Sequence, residues 1–84
     1  MYYVYLIKSK KHGKIYTGYT SDLRRRLAEH NRGKSVYTRN GIPWQLVYYE
    51  AYASKEDARK RERSLKLRAK AYAQLRRRIS KSIS

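Results

Sequence analysis

The fold is decided by the stretch YYVYLIKSKKHGKIYTGYT, residues 2–20. Its two ends, YYVYLI at residues 2–7 and IYTGY at residues 15–19, are rich in the aromatic and β-branched residues typical of strands. Between them lies a polar segment in which Gly13 is the turn residue. This pattern predicts an antiparallel hairpin. Gly18 interrupts the second strand, which indicates that another group approaches the backbone closely there.

A helix is predicted directly after the hairpin. The segment TSD at residues 20–22 supplies N-cap candidates, and Gly33 is the stop residue. Leu23 and Leu27 share one face of this helix, whereas Arg26 and His30 share another. The helix therefore presents an apolar stripe to a sheet and a polar stripe beside it.

The rest of the chain predicts one more strand and two more helices. Residues 33–43 form a loop, residues 44–52 a strand, and the acids after Ser54 begin a helix that continues in helical character to residue 79. The order β-β-α-β-α-α predicts an α+β fold with a three-stranded antiparallel sheet flanked by helices. We expect a single domain over residues 1–80 and a frayed basic tail at residues 81–84.

Charge restricts the function. The 84 residues carry 22 Lys and Arg against 6 Asp and Glu, a formal net charge of +16. This excess predicts a polyanionic partner, most commonly nucleic acid. The absence of Cys excludes disulfides and thiolate metal sites. The longest apolar run, at residues 1–7, is far shorter than the roughly 20 residues of a membrane span. We therefore expect a cytoplasmic protein.

Two triplets in the hairpin resemble the paired motifs of the GIY-YIG nucleases. Tyr-Val-Tyr at residues 3–5 and Tyr-Thr-Gly at residues 16–18 stand where that family usually has Gly-Ile-Tyr and Tyr-Ile-Gly. Residues 20–31 resemble the family's following helix, and ARKRE at residues 58–62 resembles the segment bearing its metal-binding Glu. The resemblance covers nearly the whole chain. It is strongest to small stand-alone bacterial members, and the chain is also similar to the N-terminal nuclease domain of excinuclease C.

The resemblance implies a set of catalytic residues. Tyr5 is expected to be the general base and Tyr16 to orient water or the phosphate, although the sequence leaves their order open. Arg26 is expected to clamp the phosphate, since a guanidinium binds two of its oxygens and stays charged. His30 is expected to hydrogen-bond Tyr or phosphate, or to shuttle a proton. Glu62 is expected to hold Mg²⁺ or Mn²⁺ together with waters and a substrate phosphate.

The implied activity is a divalent-metal-dependent DNA endonuclease of low sequence specificity, of the repair or recombination type. Its substrate is single-stranded, duplex or branched DNA, with a preference for single-stranded or branched forms if an exposed tyrosine stacks on unpaired bases. The expected nucleic-acid contacts are Gly18, Tyr19, Arg25, Lys34, Tyr37, Arg39 and Lys66.

Several alternatives stay open at this point. Glu62 could form an ion pair with a neighbouring cation instead of binding metal. The two tyrosines could be core residues, because a tyrosine base needs a lowered pKa, to which the net charge and Arg26 could contribute. The whole chain could be a non-catalytic RNA- or DNA-binding module. Two residues depart from the family: Gln74 would have to replace an Asn, and Tyr19 stands where some members have Lys, a role open to Lys14 or Lys66.

Overall fold

The computed structural model describes residues 1–84. Three strands and four helices follow one another along the chain, with a short 3₁₀ turn at Arg39–Gly41 before the third strand. The strands are β1 (Tyr2–Ser9), β2 (Ile15–Thr20) and β3 (Trp44–Tyr52), and the helices are α1 (Leu23–Asn31), α2 (Lys55–Leu67), α3 (Ala69–Arg78) and α4 (Ser80–Ile83). The predicted α+β class and the order β-β-α-β-α-α are confirmed, and α4 is added at the end.

The sheet is antiparallel with the strand order β2-β1-β3, so β1 is central and both neighbours are edge strands. Tyr5 of β1 lies opposite Gly18 of β2 and Tyr49 of β3. This register places Tyr5 in the middle of the sheet, where it is only 3% exposed.

Alternation along β1 gives the sheet two apolar faces. One face carries Val4 and Leu6, which pack against α2 and α3 through Ala58, Leu65 and Leu75. The other face carries Tyr5 and Ile7 with Trp44, against which the two leucines of α1 pack, Leu23 and Leu27. Tyr16 belongs to this second face, so the two motif tyrosines share one side of the hairpin.

The predicted helix caps are present. Asp22 Oδ1 accepts a hydrogen bond from Arg25 N at 3.0 Å, and Ser54 Oγ accepts one from Asp57 N at 3.3 Å. Gly33 follows α1 with φ +76°, a left-handed conformation that glycine adopts without a Cβ penalty. These local signals fix where α1 begins and ends and where α2 begins.

A partly buried ion pair fastens α2 to β3. Arg61 donates from Nε and Nη2 to the two carboxylate oxygens of Glu50 at 2.9 and 3.0 Å. The hydroxyls of Tyr48 and Tyr52 donate to the same carboxylate. Burial alone would raise the pKa of Glu50, but these hydrogen bonds outweigh it and hold that pKa below its usual value. The contact holds α2 against β3, next to the packing of Ala58 and Leu65 in the core.

The C-terminal residues differ from the frayed tail predicted for residues 81–84. Residues 80–83 form α4, Ile83 is 8% exposed, and Lys8 Nζ donates to the Ile83 carbonyl oxygen at 2.7 Å. The tail was predicted to fray because it is mostly polar, but its one apolar side chain, Ile83, is buried. No helix of the structure has the length and apolar character needed to cross a membrane.

Candidate active site

A buried chain of hydrogen bonds joins β1, α1 and the following loop. Tyr5 Oη lies 2.8 Å from His30 Nε2, and His30 Nδ1 lies 2.7 Å from Thr38 Oγ1. His30 is fully buried and Thr38 is 1% exposed. Both ring nitrogens of His30 are therefore engaged, and the imidazole has a fixed orientation against the phenol.

Gly18 provides the space for the Tyr5 ring. A Cβ built at Gly18 would overlap the phenol of Tyr5 at Cζ and Oη. The close approach predicted from the sequence is therefore made by a side chain of the neighbouring strand, not by nucleic acid. Because Gly18 is itself buried, the structure does not support it as a nucleic-acid contact.

Tyr16 links His30 to α2. Its ring meets the imidazole edge-on with centroids 5.4 Å apart, and Lys66 Nζ lies 5.4 Å from the Tyr16 ring centre. The same ammonium is 3.1 Å from Glu62 Oε2. Since α2 packs mainly on the other face of the sheet, this contact is made at β2, an edge strand. The site thus lies where α1 and α2 meet beside the hairpin.

Arg26 lies on α1, one turn before His30. Its Nη1 donates to Glu29 Oε1 at 3.1 Å, and its side chain is 31% exposed. Burial alone would lower the pKa of Arg26, but Glu29 and the nearby Tyr5 hydroxyl raise it, so the guanidinium stays charged. Arg26 therefore places a permanent, partly accessible positive charge next to the Tyr5 oxygen.

The pKa values of Tyr5 and His30 move in opposite directions for the same reason. Burial raises the pKa of Tyr5 to about 12, against the opposing effect of Arg26. Burial, helped by the Arg26 charge, lowers the pKa of His30 to about 4. Arg26 does lower the pKa of Tyr5, the contribution considered from the sequence, but desolvation is the larger effect and the net shift is upward. At neutral pH the site holds a neutral phenol and a neutral imidazole.

Glu62 is the acid of α2 that lies beside this cluster. Its side chain is 16% exposed, and its charge is close enough to oppose ionisation of Tyr5. In the structure Glu62 makes the ion pair that the sequence left open, with Lys66. No group of three or more His, Cys, Asp and Glu side chains comes together anywhere in the molecule. A metal at Glu62 would have one protein carboxylate, a donor set that suits Mg²⁺ when waters and a substrate phosphate complete the shell.

The structure brings together all five residues expected to be catalytic. Tyr5, Tyr16 and Arg26 surround His30, and Glu62 joins them through Lys66. Lys66, rather than Lys14, is the lysine that lies beside Tyr16.

The expected nucleic-acid contacts divide into two groups. Lys34, Tyr37 and Arg39 are exposed on the loop that follows α1, and Arg25 is exposed beside Arg26. Tyr19 is placed elsewhere: it stacks on Tyr2 with ring centres 6.5 Å apart on the α2 face of the sheet and is covered by Arg59.

Two features of the site were missed by the sequence analysis. Thr38 is the second partner of His30, yet nothing in its loop distinguishes it from a turn residue. Its backbone oxygen accepts a hydrogen bond from Trp44 Nε1 at 2.7 Å, which ties the loop to β3.

Gln74 is exposed on α3 and makes no side-chain hydrogen bond with the cluster, so the structure does not support it as the replacement for the family's Asn.

Comparison with known proteins identifies the family of the chain. The family model of the GIY-YIG catalytic domain matches residues 1–79. The chain belongs to this family, within the GIY-YIG nuclease superfamily.

Its relatives include small bacterial proteins named UPF0213. One from Streptococcus pneumoniae serotype 4 is 48% identical over 65 residues, covering 76% of this chain and 65% of the relative. One from Staphylococcus saprophyticus is 42% identical over 66 residues, covering 77% and 79%. The solution NMR structure of a UPF0213 protein from Bacillus halodurans superposes with a TM-score of 0.55 at 42% identity, over 89% of this chain and 82% of that one. The match thus covers slightly less than two thirds of the pneumococcal relative's length.

Proposed function

We propose that this protein is a divalent-metal-dependent DNA endonuclease of low sequence specificity that acts in the cytoplasm. The observation that carries the proposal is the contact of Tyr5, Tyr16, Arg26 and His30 in one cluster, with Glu62 joined to it through Lys66. Phosphodiester hydrolysis needs an activated water, stabilisation of charge on the phosphate and help for the leaving oxygen. This cluster contains groups suited to the first two needs, and a metal ion held by Glu62 would supply the third.

The roles follow from the chemistry of the side chains. Arg26 binds the scissile phosphate, since its guanidinium is charged and partly accessible. Tyr5 first loses its own proton to solvent, and the phenolate that results receives the proton of the attacking water. Tyr16 orients that water or the phosphate. Glu62 holds Mg²⁺ or Mn²⁺, which supplies Lewis-acid stabilisation of the phosphate when bound. When the substrate binds, Lys66 leaves its ion pair with Glu62 and binds the substrate phosphate instead.

The loop after α1 supports a preference for DNA with unpaired bases. Tyr37 is 82% exposed and Val36 is 62% exposed. Lys34 and Arg39 flank them and are also exposed. An exposed aromatic ring between cations can stack on an unpaired base while the cations bind its phosphates. We therefore propose single-stranded or branched DNA as the preferred substrate, which fits a role in repair or recombination.

One observation favours a second candidate, a non-catalytic RNA- or DNA-binding module. Glu62 is already neutralised by Lys66 at 3.1 Å, as a purely structural acid would be. Such a module would bind through the same basic surface and would need no metal.

A cleavage assay separates the two candidates. Purified protein is incubated with labelled single-stranded, duplex and branched DNA, with Mg²⁺, with Mn²⁺ and with EDTA. We expect metal-dependent cleavage that is lost in Glu62→Gln and Arg26→Ala, with branched or single-stranded DNA cut fastest. Glu62→Gln should keep or increase DNA affinity because it removes a negative charge.

Glu56→Gln is the matched control, since Glu56 is an exposed acid in the first turn of the same helix. It should cleave at the wild-type rate. Salt-sensitive binding without cleavage of any substrate would reject the nuclease and favour the binding module. Undiminished cleavage by Glu62→Gln would remove that residue from the site.

A further inference from the structure

The loop of residues 33–43 reaches the Tyr5 hydroxyl through one buried side chain, that of Thr38. The Thr38 backbone is held on both sides: its N–H donates to the Ser35 oxygen at 3.2 Å, and its own oxygen accepts from Gly41 N at 3.0 Å and Trp44 Nε1 at 2.7 Å. The hydroxyl therefore has a fixed position against the imidazole of His30.

Counting donors and acceptors assigns the proton positions. Thr38 Oγ1 has one hydrogen-bond partner, His30 Nδ1, and no buried polar side-chain atom of the protein is left unpaired. If Nδ1 carried the imidazole proton, it would donate to the hydroxyl, and the hydroxyl's own proton would be buried without an acceptor, which is costly. With Nε2 protonated instead, the proton left without a protein acceptor is that of Tyr5, whose hydroxyl lies beside the partly exposed Arg26, on the side where the substrate is proposed to bind. The favourable arrangement therefore has Thr38 donating to Nδ1.

We propose that Thr38 is a positioning residue whose hydroxyl donates to His30 Nδ1, holds the imidazole proton on Nε2 and so directs a donor at the Tyr5 oxygen. In a neutral imidazole one nitrogen donates and the other accepts, so the bond at Nδ1 determines the one at Nε2. Tyr5 Oη then accepts from His30, and its own proton is free to point towards the substrate.

This arrangement matters for the step proposed at Tyr5, and in that respect it rests on the proposed function. A phenolate formed at Tyr5 by loss of its proton to solvent would keep the Nε2–H donor and the neighbouring Arg26 charge. With the opposite tautomer, the phenolate would face the Nε2 lone pair. Thr38 thus favours the charged form of Tyr5 without contacting the substrate.

The test is ¹⁵N NMR of the imidazole side chains in the full chain, which distinguishes a protonated from an unprotonated ring nitrogen directly. At neutral pH we expect His30 of the wild type to show one tautomer, protonated at Nε2. Thr38→Val is nearly isosteric but cannot donate, so its His30 should show a mixture of tautomers. Thr38→Ser keeps the hydroxyl and should restore the single Nε2–H form.

Kinetics provide the second readout. Loss of one supporting hydrogen bond predicts a fall in kcat of about tenfold for Thr38→Val with KM unchanged, and recovery in Thr38→Ser. A wild-type spectrum protonated at Nδ1 would overturn the proposal without any variant. A pure Nε2–H tautomer with full kcat in Thr38→Val would overturn it as well. If the wild type cleaves no DNA, the proposed function fails, and the imidazole spectra still decide the role of Thr38.

Discussion

Tyr5 serves the fold and the site with the same ring. It lies in the middle of the central strand, over the backbone of Gly18, and is 3% exposed. That burial gives the ring a fixed position, and it also raises the pKa of the phenol to about 12. Arg26 therefore compensates in part for a desolvation that the packing itself imposes.

The motif positions could be predicted from the sequence, but their ionisation could not. The hairpin that carries both motifs was predicted, and in the structure Tyr5 and Tyr16 lie on one side of it. Whether burial or positive charge has the larger effect on the pKa of Tyr5 depends on which residues pack on that face of the sheet. Those residues come from α1 and from a loop distant in sequence. Thr38 shows the same limit, because its contact with His30 depends on how the loop folds back.

The buried His30 predicts a loss of stability in acid. In the unfolded chain an imidazole gains a proton near pH 6.5, whereas the folded protein holds the His30 pKa to about 4. The stability from the neutral form is fully present above pH 6.5 and is lost as the pH falls towards 4. We expect His30 to account for a decrease of about 3 kcal/mol in the free energy of unfolding across that window.

Urea denaturation followed by Trp44 fluorescence at a series of pH values measures this decrease. His30→Gln should flatten the pH dependence between pH 6.5 and 4. His12→Gln, at the exposed histidine, should leave it as in the wild type. Equal slopes for the wild type and His30→Gln would show that another group is responsible.

At the scale of elements, the position of Glu62 depends on how α2 is fastened to the sheet. Helical spacing places Ala58, Glu62 and Leu65 on one stripe of α2, and the two apolar members are buried in the core. The Glu50–Arg61 contact could not be predicted, since it joins residues of two elements whose packing angle the sequence does not specify.

Glu50→Gln should therefore destabilise the protein. It removes the negative charge that Arg61 and two tyrosine hydroxyls share in a partly buried setting. We expect a loss of about 2 kcal/mol, in the range for hydrogen bonds to charged groups. Glu56→Gln, on the exposed first turn of α2, should change stability by less than about 1 kcal/mol.

Urea denaturation at neutral pH, followed by Trp44 fluorescence, measures the stability of both variants. If both variants lose equally little, the Glu50–Arg61 pair behaves as an ordinary surface ion pair and does not fasten α2.

At the scale of the whole molecule, the net charge of +16 sets how binding responds to salt. Each phosphate contact adds about 0.9 to the negative slope of log K against log salt for duplex DNA. Lys34→Ala and Arg39→Ala, both on the exposed loop, should each reduce that slope by about one. Lys70→Ala, an exposed cation of α3, should leave it unchanged.

Fluorescence anisotropy with labelled DNA over a range of salt concentrations gives these slopes. A slope that falls by the same amount in all three variants would mean that DNA has no preferred side of the molecule. An unchanged slope in both loop variants would remove the loop from the binding surface.

The two open edges of the sheet give the charge a further consequence. The outer edge of β3 extends over nine residues and displays Tyr49, which is 52% exposed. Long edges of this kind can pair with strands of other copies, and mutual repulsion between highly charged chains opposes that pairing. Salt shortens the range of this repulsion, from a Debye length of about 10 Å at 0.1 M to about 3 Å at 1 M. Resistance to self-association and affinity for DNA therefore both decrease as ionic strength rises.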